Sequence, residues 1–187
     1  MYVLTTNKGG CIVDAVSQIS SGDNPLIAVA VMKSNYTNEL LKKNSQFAIS
    51  ILGKEVNPEI IKIFGFNSMR DINKFENIDT TIIENINIIN NSLGYMICDI
   101  VDSIDNDTHT LFIGKIIEAD LYEDKEAMSY QYYQFHKEEL LKVTTDKGKT
   151  AWVCSICGYI HYEDELPEGF ECPVCGVTKD FFDKKIT

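Results

Sequence analysis

Apolar residues in the first 140 positions come in short, dense runs set apart by turn chemistry. Leu26–Met32, Phe47–Leu52, Tyr95–Val101 and Leu111–Ile117 are rich in Val, Ile and Phe and predict strands. Ser21-Gly22-Asp23-Asn24-Pro25 and Asp105-Asn106-Asp107 predict turns between them. Asn57-Pro58 predicts a helix start, with Asn as cap and Pro in the first turn. Ile60, Ile61, Ile63 and Phe64 follow as the apolar side of that helix. Many strands and few helices predict a β-rich α+β chain: a β-barrel with helical additions and no internal repeat.

The pattern changes near the end. Thr144–Thr150 is polar, carries a Gly, and reads as a linker that extends to at most ~25 Å. The expected organisation is therefore a domain at 1–143, a linker at 144–150 and a small domain at 151–187. So short a tail cannot be held by apolar burial alone and calls for a staple such as a metal.

Composition narrows the function classes. A net charge of −11 repels nucleic-acid phosphates and anionic lipid headgroups, so neither nucleic acid nor a membrane is expected as a partner. No apolar run reaches a membrane-spanning length. Met1-Tyr2-Val3-Leu4-Thr5 lacks the basic-then-apolar layout of a secretory signal, which predicts a cytoplasmic protein. In that compartment the six cysteines read as metal ligands or thiols before disulfides.

Four of them have metal-site spacing. Cys154 and Cys157 form one Cys-x-x-Cys pair, Cys172 and Cys175 the other, fourteen residues apart, each followed by Gly. A two-residue gap lets both thiolates of a pair reach one ion, and a Gly with positive φ closes the turn. Four thiolates in a tetrahedron suit iron or zinc, and spacing leaves the two open.

Wider context separates them. Trp152 before the first pair, Cys157-Gly158-Tyr159, Cys172-Pro173-Val174-Cys175-Gly176 and Phe181-Phe182 resemble the rubredoxin family. The loop between the pairs is about half the usual rubredoxin length and resembles the rubredoxin-like domains of rubrerythrins. The resemblance implies one iron that cycles between Fe(III) and Fe(II), with zinc as the alternative.

Residues 1–140 contain no Walker loop and no Gly-x-Gly-x-x-Gly motif. Cys11 to Ser20, Asn24-Pro25 and Ala28 to Thr37 resemble the flavin reductase-like FMN-binding split barrel. So do Phe47 to Leu52, Phe64 to Asp71, Thr108 to Gly114 and Tyr132-Tyr133. The resemblance implies that Asp14, Ala15, Val16, Ser17 and Gln18 line the isoalloxazine ring. It implies that Lys33, Ser34, Asn35 and Thr37 hold the phosphate, beside a helix start at Thr37. Ser50 and Leu52 would touch the flavin, Phe64 and Arg70 would stand on a neighbouring loop, and His109 would sit where a nicotinamide stacks. Asp14-Ala15 replaces the usual Asn-Thr, and Met69 a usual Gly. An acid beside the ring disfavours the anionic reduced flavin.

Plainer roles stand next to these. Lys33 and Arg70 are also read as solvated charges. His109 and His136 are read as structural imidazoles, Cys98 as a small buried hydrophobe, and Phe64 with Phe66 as core packing.

The pairing of domains resembles the high-molecular-weight rubredoxins of anaerobes. It implies electron flow from NAD(P)H, or from a reductase, through FMN to the iron. The implied acceptor is a redox protein such as a diiron flavoprotein that reduces oxygen or nitric oxide, and the implied assembly is a homodimer. A flavin reductase with a structural zinc ribbon, or a redox sensor without turnover, would use the same residues.

Overall fold

In the computed structural model, residues 1–141 and 150–185 are described. The expected linker at 144–150 therefore lies, except for Thr150, outside the described residues. The chain divides into two compact units, Met1–Tyr130 and Gln131–Thr187. Residues 131–141, which the sequence places in the domain at 1–143, fall in the second unit.

The first unit is built on one antiparallel sheet. Its strands are β1 (Tyr2–Thr6), β2 (Gly9–Val13), β3 (Val16–Gln18), β4 (Leu26–Met32), β5 (Gln46–Ile51), β8 (Gly94–Asp105) and β9 (His109–Leu121). They are ordered β2-β1-β5-β8-β9-β4-β3. A separate hairpin joins β6 (Thr80–Ile83) to β7 (Ile86–Ile89). Two helices, α1 (Tyr36–Leu41) and α2 (Pro58–Phe66), complete the unit. α2 packs on β2, α1 touches β1, β2 and β4, and β2 also meets β4, so the sheet curls back on itself.

β5 is buried along nearly its whole length because each of its faces meets a core. Phe47 and Ile49 join Leu4, Val29, Val31 and Phe112 on one side. Ala48, between them, faces Ile86, Ile88 and Ile97 on the other. Burial of a side chain such as Phe47 contributes about 1.5–3 kcal/mol, and it needs Gly114 on β9. A Cβ there would stand 2.6 Å from the Phe47 ring and 2.8 Å from the Cys98 Cβ. Cys98 is fully buried in the first core.

The second unit begins with α3 (Tyr130–Leu141), whose first residue belongs to unit one. Strand β10 (Ala151–Cys154) then pairs with β11 (Ile160–Tyr162) on one side and β12 (Phe182–Lys185) on the other. Its core is small: Cys154, Cys172 and Phe182, with Trp152, Tyr159, Leu166, Phe170, Val174 and Val177 around them. No helix among the described residues is long and apolar enough to cross a membrane.

Candidate metal centre and flavin-binding region

The two cysteine pairs sit in matching turns. Gly158 N donates to Cys154 O at 2.9 Å and Gly176 N to Cys172 O at 2.8 Å. Cys154 N donates to Tyr159 O at 2.9 Å and Cys172 N to Val177 O at 2.8 Å. Both turns close through a glycine of positive φ, +82° at Gly158 and +74° at Gly176. The local sequence Cys-x-x-Cys-Gly thus builds the same knuckle twice.

The knuckles face each other. The Sγ atoms of Cys154 and Cys175 are 3.7 Å apart, those of Cys157 and Cys172 3.5 Å apart, and all four lie within 4.8 Å of one another. A metal–sulfur distance of about 2.3 Å gives a tetrahedral edge of roughly 3.8 Å. The four sulfurs therefore fit one tetrahedral ion. Cys154 and Cys172 are buried while Cys157 and Cys175 are partly open to solvent.

The second knuckle stabilises negative sulfur. The Cys172 thiol is held below its ordinary value by the hydrogen bond from Cys157, then by the backbone N–H groups of Cys175 and Val174. Cys157 is raised by the same bond and by burial, with the Tyr159 N–H opposing. A thiolate already favoured by backbone donors is a ready metal ligand.

The barrel residues predicted to hold a flavin fall into three groups. Lys33 and Ser34 are exposed in the turn after β4. Lys33 N donates to Thr108 O at 2.9 Å, and Met32 stands opposite His109 in the β4–β9 register. His109 Nδ1 lies 2.8 Å from the Thr108 hydroxyl. Asn35 caps α1, its Oδ1 accepting from Thr37 N at 3.0 Å, and Thr37 is buried. Arg70, from the loop after α2, lies 4.6 Å over the Tyr36 ring and pairs with Glu39. Lys33, Ser34, Asn35, Thr37, Arg70 and His109 are thus gathered around the start of α1.

Asp14 and Ala15 are exposed between β2 and β3, and Val16, Ser17 and Gln18 form the edge strand β3, paired to β4. Ser50, Leu52 and Phe64 do not join the α1 cluster. Ser50 is buried and its Oγ accepts from Ile89 N at 3.2 Å. Leu52, just past β5, bonds through its backbone to Met1 and Met128. Phe64 lies on α2 rather than on a loop, and is buried against Phe75, with ring centres 5.7 Å apart.

Lys74 has no counterpart in the sequence reading. It is 2% exposed, donates to Gly10 O at 2.8 Å and Phe64 O at 3.3 Å, and sits beside Cys11. Burial pulls it down to about 8, and the same burial pushes the Cys11 thiol up to about 11. Nothing in the polar run Asn73-Lys74-Phe75-Glu76 marks this lysine as buried.

With this geometry in place, similarity to known proteins adds identity. A family model described as flavin reductase like domain matches residues 1–140. One described as rubrerythrin, rubredoxin-like domain matches residues 152–183. A high molecular weight rubredoxin of Moorella thermoacetica is 31% identical over 98% of this chain and 94% of its own length. The chain belongs to the high-molecular-weight rubredoxin family.

Further similarities are at lower identity. A ferric-chelate reductase (NAD(P)H) of Archaeoglobus fulgidus is 29% identical, covering 80% of this chain and 86% of that protein. Among solved structures, the NADH:FAD oxidoreductase SgcE6 of Streptomyces globisporus superposes with a TM-score of 0.62 at 21% identity. It covers 68% of this chain and 78% of that one. Flavoredoxin of Methanosarcina acetivorans gives 0.59 at 22% identity, over 65% and 68% of the two chains. These likenesses establish the flavin reductase-like fold of the first unit.

Proposed function

We propose that this chain is an electron-transfer protein that takes electrons from NAD(P)H, or from a reductase, into FMN on the barrel. They then pass to iron in the tail and on to a redox protein such as a diiron flavoprotein reducing oxygen or nitric oxide. The observation that carries this reading is a complete four-thiolate site fused behind a flavin reductase-like domain. When bound, the flavin accepts a hydride as an electron pair and the iron passes single electrons, so together they convert one currency to the other.

The protein's own part is to bind and orient. Lys33 supplies a cation, and Ser34 and Thr37 hydroxyls and the Asn35 amide supply donors, for the FMN phosphate. Arg70, held over Tyr36, adds a second cation nearby. Asp14, Ala15, Val16, Ser17 and Gln18, at the edge of the sheet, line the ring. Ser50, Leu52 and Phe64 support the fold behind the site through the contacts described above. His109, beside Lys33, borders the nicotinamide position. The similarity to a ferric-chelate reductase (NAD(P)H) and to an NADH:FAD oxidoreductase favours a nicotinamide. A cytoplasmic homodimer with a symmetric interface fits the family resemblance.

The phosphate assignment has a direct test. Lys33→Ala should weaken FMN by roughly 10-fold or more and riboflavin little, since only FMN offers the charge; a charge-assisted bond is worth about 1.5–3 kcal/mol. Equal loss of both ligands, read by fluorescence titration, would move the phosphate elsewhere. Metal analysis and a visible spectrum separate iron from zinc: ferric iron in four thiolates absorbs in the visible and zinc does not.

A further inference from the structure

α3 lies on the first knuckle and addresses its peptide groups one by one. Tyr133 Oη donates to Cys157 O at 2.8 Å, and Gln134 Nε2 donates to Ile156 O at 2.6 Å. Lys137 Nζ donates to Ser155 O and also to Gln134 Oε1, the latter at 2.8 Å. Three consecutive carbonyls are thus capped by three side chains of one helix. Tyr133, Lys137 and Leu141 recur every four residues, so they lie on one helical face.

Gly158 makes the approach possible. A Cβ there would lie 2.9 Å from Tyr133 Oη, 3.1 Å from Leu141 Cδ1 and 3.4 Å from Lys137 Cδ. At Gly176, in the second knuckle, a Cβ would meet nothing within 4 Å among the described residues. The two knuckles share backbone bonding, but the helix covers only the first. Lys185, on β12, pairs with Glu138 at 2.8 Å and ties α3 to the far edge of the same small sheet.

The capped carbonyls belong to particular peptides. In the second knuckle, the N–H groups of Val174 and Cys175 point at the Cys172 sulfur. By turn equivalence, the matching positions in the first knuckle are the N–H groups of Ile156 and Cys157, two and three residues after Cys154. The carbonyls of those two peptides are Ser155 O and Ile156 O, the groups bonded by Lys137 and Gln134. A donor on a peptide carbonyl polarises its N–H and strengthens that N–H as a donor in turn. A cation there does so most.

We propose that α3 is a positioning and tuning element for the metal site, acting through these three carbonyls. Reduction of iron in four thiolates adds one negative charge to the site. Polarised N–H groups and the nearby Lys137 cation favour the more negative state, so α3 raises the reduction potential. It also holds the first knuckle closed, slowing loss of the ion. This inference rests on the iron reading for its redox half and on the four-thiolate geometry alone for its clamp half.

The test uses the full-length chain. In the iron-loaded protein, Lys137→Met with Gln134→Leu should lower the reduced-to-oxidised ratio at a fixed potential about tenfold, which is 59 mV for one electron. Tyr133→Phe should shift it in the same direction by less. Lys179→Met, which removes an exposed charge from the tail without touching the first knuckle, should leave the ratio within about twofold. In zinc-loaded protein, the double variant should release the ion to a chelator several-fold faster than the parent. An unchanged ratio, or a shift as large in Lys179→Met, would overturn the tuning. Unchanged zinc release would overturn the clamp. A chain that holds no redox-active iron would instead sink the electron-transfer reading, with the zinc arm still deciding the clamp.

Discussion

Lys74 is a buried amine that donates to two carbonyls beside the Phe64 ring and the Cys11 thiol, and its pH behaviour follows from that. Its value in the folded state is about 8, below the ordinary 10.5. Protonation therefore opposes folding: below pH 8 the cost is about 3 kcal/mol, and it fades as pH rises toward the unfolded value. Cys11, raised to about 11 by burial, works the other way above pH 9, because its thiol resists ionising only in the folded state. Between pH 7 and 9 the lysine dominates. Wild type should therefore gain about 1 kcal/mol over Lys74→Met across that interval in urea titrations. A constant gap between the two proteins would mean that Lys74 is not buried as a cation. The four ligand cysteines were legible as residues because spacing alone marks a metal site. Lys74, Gln134 and Lys137 were not, since each is an ordinary polar residue until folding brings it against a carbonyl, and Tyr133 stood out only within the flavin reductase resemblance, not as a partner of the knuckle.

At the scale of elements, the strands with dense apolar runs were readable and the rest were not. β4 has the bounds its sequence predicts, and β5 nearly so, because both faces of each are largely covered and most positions are buried. β8 and β9 run far past their apolar cores, to 12 and 13 residues, with the exposed ends held by pairing to each other rather than by hydrophobicity. β3 has only three residues, two exposed, and carries no periodic signal. α2 begins at the predicted Asn57-Pro58, with Asn57 Oδ1 accepting from Glu59 N at 3.1 Å. α3 is the informative miss: its aromatic and charged residues alternate without an apolar stripe, so nothing marks the face that meets a knuckle. The β5 core predicts that Phe47→Ala costs roughly 3–5 kcal/mol, read from the unfolding midpoint of the barrel.

The same scale sets what the metal does. A three-stranded sheet of short strands around cysteines and aromatic rings lacks the apolar burial to stand alone, so ion binding supplies the folding free energy of the tail. Cys154→Ser or Cys172→Ser should abolish amide protection in β10, β11 and β12 while β5 and β8 stay protected. Hydrogen exchange of the metal-stripped chain should give the same picture. A tail equally protected without metal would show that its aromatic cluster suffices.

For the whole molecule, the proposed function joins a two-electron site to a one-electron site in one chain. The covalent join matters because tethering gives an effective concentration up to the millimolar range. Between residues 151 and 187 the tail carries seven acidic residues and three lysines, which suits docking of a basic partner and predicts slower exit of electrons at high salt. Stopped-flow absorbance tests the order directly. After mixing the iron- and FMN-loaded chain with NADH, NADPH or a reductase, the flavin band should bleach before the iron–thiolate band. In Cys172→Ser the flavin should still bleach, while reduction of a one-electron protein acceptor drops severely. Iron bleaching ahead of flavin, or a Cys172→Ser chain that passes electrons at the wild-type rate, would contradict the account.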